Sequence, residues 1–279
     1  MQGKIIKNIS NDYTVLADNK EYICKCRGKF RKLKLIPLVG DKVIIDEKNN
    51  YIIELLPRKN ELVRPPICNV DQAFVITSVK EPDFSSNLLD KLLNIIEFNN
   101  IKPIICFTKL DLLDEQEKEK IKKIMDYYKK IGYIVLINNE IKKINELFKD
   151  KITVFTGQSG AGKSTLLNKL NKDLNIKTAP ISHSLGRGKH TTRHTELINM
   201  KDGYVADTPG FSSIDFTSMT KEQIRDNFIE FNEFKENCKY RDCMHHKEDD
   251  CEIKRKVKEG IILKTRYENY LKFIEEKLG

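Results

Sequence analysis

A chain of 279 residues with 39% hydrophobic content is long enough for one large globular unit or two to three small ones with real cores. Its 50 basic and 41 acidic residues give a formal charge of +9, which favours a polyanionic partner yet also describes a solvated lysine-rich surface. No apolar run approaches the roughly 18 residues of a membrane span, and residues 1–7 lack a signal-peptide core, so membrane and secretory classes are set aside.

Residues 4–7, 13–16, 22–26, 42–45 and 51–55 are short β-branched and aromatic runs. They are separated by Asn11-Asp12, Asp18-Asn19, Gly40-Asp41 and Asn49-Asn50, the residue types of tight turns. Five strands predict a small barrel. Between the third and fourth lies a basic loop containing Lys29, Phe30, Arg31, Lys32 and Lys34. Cations beside one ring fit an oligonucleotide-binding (OB) barrel, in which phosphates meet the cations and a base stacks on the ring. A charged, exposed connection is the alternative, and this loop alone does not separate the two. Cys24 and Cys26 read as packing residues.

Pro57, Pro65 and Pro66 mark a boundary near residue 65. Strand-like runs at 73–76, 103–107, 133–137 and 152–155 then alternate with helix-length segments at 87–99, 115–130 and 141–149. The alternation predicts an α/β unit, a mostly parallel sheet with helices on both faces. The strand at 103–107 runs into Thr108-Lys109-Leu110-Asp111, an [NT]-K-x-D pattern. An aspartate there accepts from guanine N1–H and N2–H₂, donors that adenine lacks on that edge, and open α/β sheets bind ligands at such strand ends. Asn138-Asn139-Glu140 follows the next strand; base contacts there are left unassigned.

The run at 152–155 leads into Gly157-Gln158-Ser159-Gly160-Ala161-Gly162-Lys163-Ser164-Thr165. This is the phosphate-loop pattern G-x-x-x-x-G-K-[ST]: the glycines let successive N–H groups face phosphate oxygens at a helix N-terminus. Lys163 would bridge the β- and γ-phosphates and the Ser164 hydroxyl would bind Mg²⁺. Downstream, two glycines and a cationic run across 185–193 argue against a helix and predict a mobile loop. Thr191 or Thr192 there would bind Mg²⁺ and sense the γ-phosphate. Strands are predicted at 194–198 and 204–206; the second ends in Asp207-Thr208-Pro209-Gly210, a D-x-x-G pattern. Asp207 would hold Mg²⁺ through water and the Gly210 N–H would meet the γ-phosphate.

Residues 221–234 predict a helix. Seven cysteines is an odd number, and three fall in Cys238-x4-Cys243-x-His245-x5-Cys251, which suits a metal site in a reducing compartment better than a disulfide framework. Three thiolates and an imidazole close a tetrahedral shell around one structural Zn²⁺, with His246 as the adjacent competitor for the fourth position. Residues 253–278 read as a basic amphipathic helical tail.

Ordinary small GTPases run phosphate loop, switch threonine, D-x-x-G, then N-K-x-D; here Thr108–Asp111 comes first, so the domain is circularly permuted. With that order, GRGKHTTRHTEL at 186–197, DTPGF at 207–211 and the C-terminal cysteine cluster, the chain closely resembles the ribosome small-subunit-dependent GTPase A (RsgA) family over essentially its whole length. The resemblance implies GTP hydrolysis stimulated by the small ribosomal subunit during its late maturation, and its C-x-H spacing favours His245 as the fourth zinc ligand. It also suggests His190 as the water-orienting residue, because Phe211 occupies the position where many GTPases carry glutamine and a phenyl ring cannot orient water.

The expected organisation is an OB-type RNA-binding barrel at 1–64, a permuted P-loop GTPase domain at 65–215 and a helical zinc-binding domain at 216–279. Expected partners are GTP/GDP with Mg²⁺ and the small subunit with its rRNA, in a cytoplasmic monomer. Two other readings stay open: a P-loop ATPase or kinase acting on RNA, and a non-enzymatic RNA-binding protein with a structural nucleotide.

Overall fold

The five N-terminal strands close on themselves. In this computed structural model the described residues are 1–63, 65–171, 174, 195–200, 203–207 and 215–277. β1 (Gln2–Ile9), β2 (Asp12–Ala17) and β3 (Lys20–Cys26) form an antiparallel meander. β5 (Tyr51–Leu55) then pairs parallel to β3 and antiparallel to β4 (Lys42–Asp46), and β4 returns to β1. Ile5, Val15, Cys24, Val43 and Ile52 point inward with no exposed surface. Ser10, Asp18, Asn19 and Asn50 at the turns take φ of 46–60°, the left-handed conformation that short polar side chains tolerate best. Between β3 and β4 the basic segment is not wholly a loop: it contains the short helix α1 (Gly28–Lys32).

That helix corrects one expectation. Phe30 is only 3% exposed and packs in the barrel core, so its ring is not presented to a base. The hydrophobic gain from burying a phenyl group outweighs leaving it in water. Lys29, Lys32 and Lys34 remain exposed; the Arg31 side chain lies outside the described set.

After the two-residue strands β6 (Glu61–Leu62) and β7 (Ile67–Cys68), the α/β unit begins. Its strands are β8 (Gln72–Ser78), β9 (Lys102–Thr108), β10 (Ile134–Ile137), β11 (Ile152–Gly157), β12 (Thr195–Met200) and β13 (Gly203–Ala206). Their order is β10-β9-β8-β11-β13-β12, parallel from β10 to β13, with β12 antiparallel at the end. All seven residues of the central strand β8 are buried, as a sheet covered on both faces requires. Ala73 and Val75 belong to one core with α2 (Ser86–Phe98) and α3 (Glu115–Lys130); Phe74 and Ile76 face the other, with α4 (Ile141–Glu146) and α5 (Lys163–Leu170). α2 and α3 begin where caps dictate: Ser85 accepts from Leu88 N–H, and Asp114 with Glu117 forms a reciprocal capping box.

Barrel and α/β sheet are joined edge to edge, a feature the local sequence does not announce. β1 pairs antiparallel with β12 through Lys7↔Glu196 and Asn8↔Thr195, giving one eleven-stranded sheet among the described residues. β12 would otherwise leave a row of backbone groups at an open edge.

The C-terminal part is helical. The single helix expected at 221–234 is two, α6 (Lys221–Asp226) and α7 (Phe231–Phe234), because the chain turns between them to bury Phe228 and Glu230. The expected tail is likewise split into α8 (Glu252–Lys258) and α9 (Lys264–Glu276), with Gly260 at φ 73° between them. Arg266 on α9 is 1% exposed. Its Nε and Nη1 lie 2.5 and 2.6 Å from Glu230 and Asp90, the latter on α2. Tyr128 Oη and Asn269 Nδ2 donate to the same Asp90 carboxylate. No helix among the described residues is long and apolar enough to cross a membrane.

Candidate functional site

β11 carries the chain to the centre of the sheet and releases it at Gly157. A Cβ there would sit 2.0 Å from the Ile76 carbonyl oxygen, and φ is 128°, so only glycine lets the loop leave the strand against β8. Gly160 and Gly162 also have positive φ, 76° and 93°, and Gly162 caps α5. Ala161 is buried, Gln158 and Ser164 are half-buried, and Ser159 and Thr165 are exposed. Lys163 turns back over the loop and donates to the Gly157 and Gln158 carbonyls, 2.7 Å each. Burial pushes its pKa below the ordinary lysine value, leaving a poorly hydrated ammonium beside the loop amides.

Thr108, at the end of β9, is buried, and its hydroxyl donates to the phosphate-loop Ala161 carbonyl at 2.7 Å. It therefore joins the two motifs from inside instead of facing solvent. Lys109 adopts φ 63° and its ammonium donates to the Glu81 carbonyl. A 3-10 turn over Leu110–Leu112 leaves Leu110 half-buried and Asp111 exposed at the C-terminal end of the sheet. Asp207 follows β13; its N–H donates to the Glu196 carbonyl at 3.0 Å, and its Oδ1 accepts from Glu196 N–H at 3.1 Å. His190, Thr191, Thr192 and Gly210 lie outside the described residues.

The second site lies in the C-terminal part. The donor atoms of Cys238, Cys243, His245 and Cys251 all fall within 4.8 Å of one another. His245 Nδ1 is 3.6 Å from Cys238 Sγ and 3.4 Å from Cys251 Sγ, so this nitrogen faces the sulfurs. Burial raises the Cys243 and Cys251 thiols above their ordinary pKa; a cation among them is what would hold them as thiolates. Four soft or borderline donors at this spacing with no open position fit a tetrahedral ion. His246 lies outside the cluster, with its Nε2 3.8 Å from Glu275. The loop is braced through its carbonyls: Tyr267 Oη donates to His245, Tyr270 Oη to Met244 and Arg225 Nη1 to Cys243.

Residues 55–217 match the family model for the RsgA GTPase, and residues 2–52 that for the RsgA N-terminal domain. The chain belongs to the RsgA GTPase family.

Among similar proteins, the small ribosomal subunit biogenesis GTPase RsgA of Enterococcus faecalis is 50% identical over 282 residues, 99% of this chain and 95% of that protein. An RsgA of Oceanobacillus iheyensis is 48% identical over 99% of this chain and 97% of its own length. Of solved structures, YloQ, a circularly permuted GTPase, superposes with a TM-score of 0.84 at 41% identity, covering 99% of this chain and 94% of that one. YjeQ from Thermotoga maritima gives 0.87 at 33% identity, covering 100% and 98%. The permuted order read from Thr108–Asp111 and Gly157–Ser164 is thus that of the fold itself.

In this RsgA chain the structure adds residues that no motif announces. Glu81 offers the carbonyl that receives Lys109, Glu196 holds Asp207, and Tyr267, Tyr270 and Arg225 brace the cysteine loop. Except for Glu196, which lies across the β12–β13 hairpin from Asp207, each acts across a long sequence separation, where local patterns carry no signal.

Proposed function

We propose that this chain is a GTP hydrolase acting in the biogenesis of the small ribosomal subunit, with hydrolysis timing a step on the RNA. The observation that carries it is the hydrogen bond from Thr108 to Ala161, 2.7 Å, which fixes a guanine-type motif against a phosphate loop at one end of the sheet. In the bound state the loop amides and Lys163 would exchange carbonyl partners for phosphate oxygens and stabilise the charge that develops there. Ser164 and Asp207, a hydroxyl and a carboxylate, suit a hard cation, with Thr191 or Thr192 as a further ligand. Mg²⁺ held there would neutralise the β- and γ-phosphates. Gln158, Ser159, Gly160 and Thr165 would complete the cradle, and the Gly210 N–H would meet the γ-phosphate.

Asp111 would read guanine through N1–H and N2–H₂, with the Lys109 stem and Leu110 beside the base. Asp111→Asn is expected to weaken GTP binding roughly a hundredfold, the loss of about two hydrogen bonds to a charged acceptor, and to favour xanthine nucleotide. Unchanged base preference in competition binding would remove this assignment and reopen the ATPase or kinase reading.

His190 is assigned as the residue that orients the attacking water. His190→Ala should lower subunit-stimulated turnover about 10²–10⁴-fold, the usual worth of a positioned acid–base group, with GTP affinity retained. Normal turnover on the subunit would end that assignment.

The cysteine cluster is assigned one structural Zn²⁺, since Cys3His with no open position is a closed shell. The barrel, through Lys29, Arg31, Lys32 and Lys34, and the cysteine-rich lobe are assigned to rRNA, with Phe30 retained only as packing. Binding through such cations weakens steeply as salt rises. A cytoplasmic monomer is assigned as its working state.

A further inference from the structure

The seam between barrel and α/β sheet sits beside the nucleotide end. Among the described residues its backbone pairs are Lys7↔Glu196 and Asn8↔Thr195. Across it Lys7 Nζ and Glu196 Oε2 are 3.0 Å apart, with side chains 27% and 32% exposed. Lys4, on the same strand, places its ammonium 4.7 Å from the centre of the Tyr204 ring on β13. Asn8 Oδ1 is buried here with no hydrogen-bond partner among the described residues.

Glu196 has two faces. Its side chain reaches the barrel, while its backbone N–H and C=O hold Asp207 through Oδ1 and N–H, 3.1 and 3.0 Å. The Asp207 carboxylate is therefore oriented by a residue that the barrel in turn holds. A tilt of β1 that carries its paired strand β12 with it changes the direction of that N–H and with it the carboxylate, because paired strands are tied through their ladder. We infer that Lys7 and Glu196 are positioning residues that pass the seating of the barrel on RNA to the Asp207 carboxylate. This rests on the proposed function, in which the barrel meets rRNA and Asp207 serves the nucleotide site.

A partly exposed ion pair contributes little to overall stability, so substitutions at it leave the fold in place and isolate the coupling. The test uses the full chain with purified small subunits at saturation. Lys7→Glu and Glu196→Lys should each lower the stimulated kcat about tenfold, within the usual range of such couplings. In Lys7→Glu the KM for GTP and the subunit-free turnover should stay at wild-type values, whereas Glu196→Lys, beside the site, is read by the ratio of stimulated to subunit-free turnover, which should fall by the same factor. The double charge swap, which restores the pair, should recover most of the stimulated rate. Glu196→Gln, which keeps shape and removes charge, should show a smaller loss in the same direction.

Full stimulation in the single variants would overturn the inference. So would a double variant no better than the singles, or an equal fall in subunit-free and stimulated turnover. A wild-type chain that subunits do not stimulate would fail the proposed function and the coupling with it, whereas failure confined to the variants overturns the coupling alone.

Discussion

Replacing Arg266 by alanine is expected to lower the free energy of unfolding by about 3–5 kcal/mol, because it strands two buried carboxylates. Glu230 is 4% and Asp90 1% exposed, and the guanidinium bridges them while lying over the Phe228 ring at 4.7 Å. Tyr128 and Asn269 still donate to Asp90 in the variant, but Glu230 loses both of its hydrogen bonds from Arg266. Since Asp90 lies on α2 and Glu230 just before α7, the loss loosens α9 from the α/β unit as well as from its own lobe. Urea titration followed by circular dichroism measures it. The triple change Arg266→Met, Asp90→Asn, Glu230→Gln should recover more than half of the loss, since no buried charge is then left unpaired. A single variant within about 1 kcal/mol of wild type, the range of an exposed pair, would contradict the assignment.

The second large effect concerns the metal cluster. The purified chain is expected to carry one zinc per molecule. Cys251→Ser should abolish that content and lower the melting temperature, because a closed structural site returns much of its binding free energy, about 10–16 kcal/mol in small zinc modules, as folding free energy. Stripping the metal with a strong chelator should act in the same direction. Cys24→Ser is the control: Cys24 lies in the barrel core, so it should cost stability while leaving zinc content intact. Metal analysis alongside thermal melts decides between them, and a full zinc complement in Cys251→Ser would displace the assigned ligand set.

Local chemistry made some of this legible. The boundaries of α3 follow from Asp114 and Glu117, a capping box visible as a four-residue pattern. The buried run of β8 and the glycines of the phosphate loop are similarly self-declaring, since Gly157 must pass against the Ile76 carbonyl. The motif places Thr108 at the nucleotide, while its hydroxyl turns inward to Ala161; a tetrapeptide shows which residues are present and not which way they point. Phe30 misled for the opposite reason. An aromatic among cations resembles a stacking platform, yet a small barrel needs apolar side chains to fill its interior, and this ring is one of them. Long-range contacts left no local trace: the β1–β12 pairing joins residues 7 and 196, and the charge network joins 90, 230 and 266. Lys221–Asp226 and Phe231–Phe234 read as one helix because the turn between them is imposed by burial of Phe228 and Glu230.

On the proposed function, the phosphate loop, the base motif and the two lobes assigned to rRNA work as one ribosome-responsive switch. GTP turnover by the purified chain, with Mg²⁺, in the presence and absence of purified small ribosomal subunits measures it. Slow turnover by the chain alone and multiple, much faster turnovers with subunits are the predicted result. Equal rates with and without subunits, or no turnover in either, would contradict it.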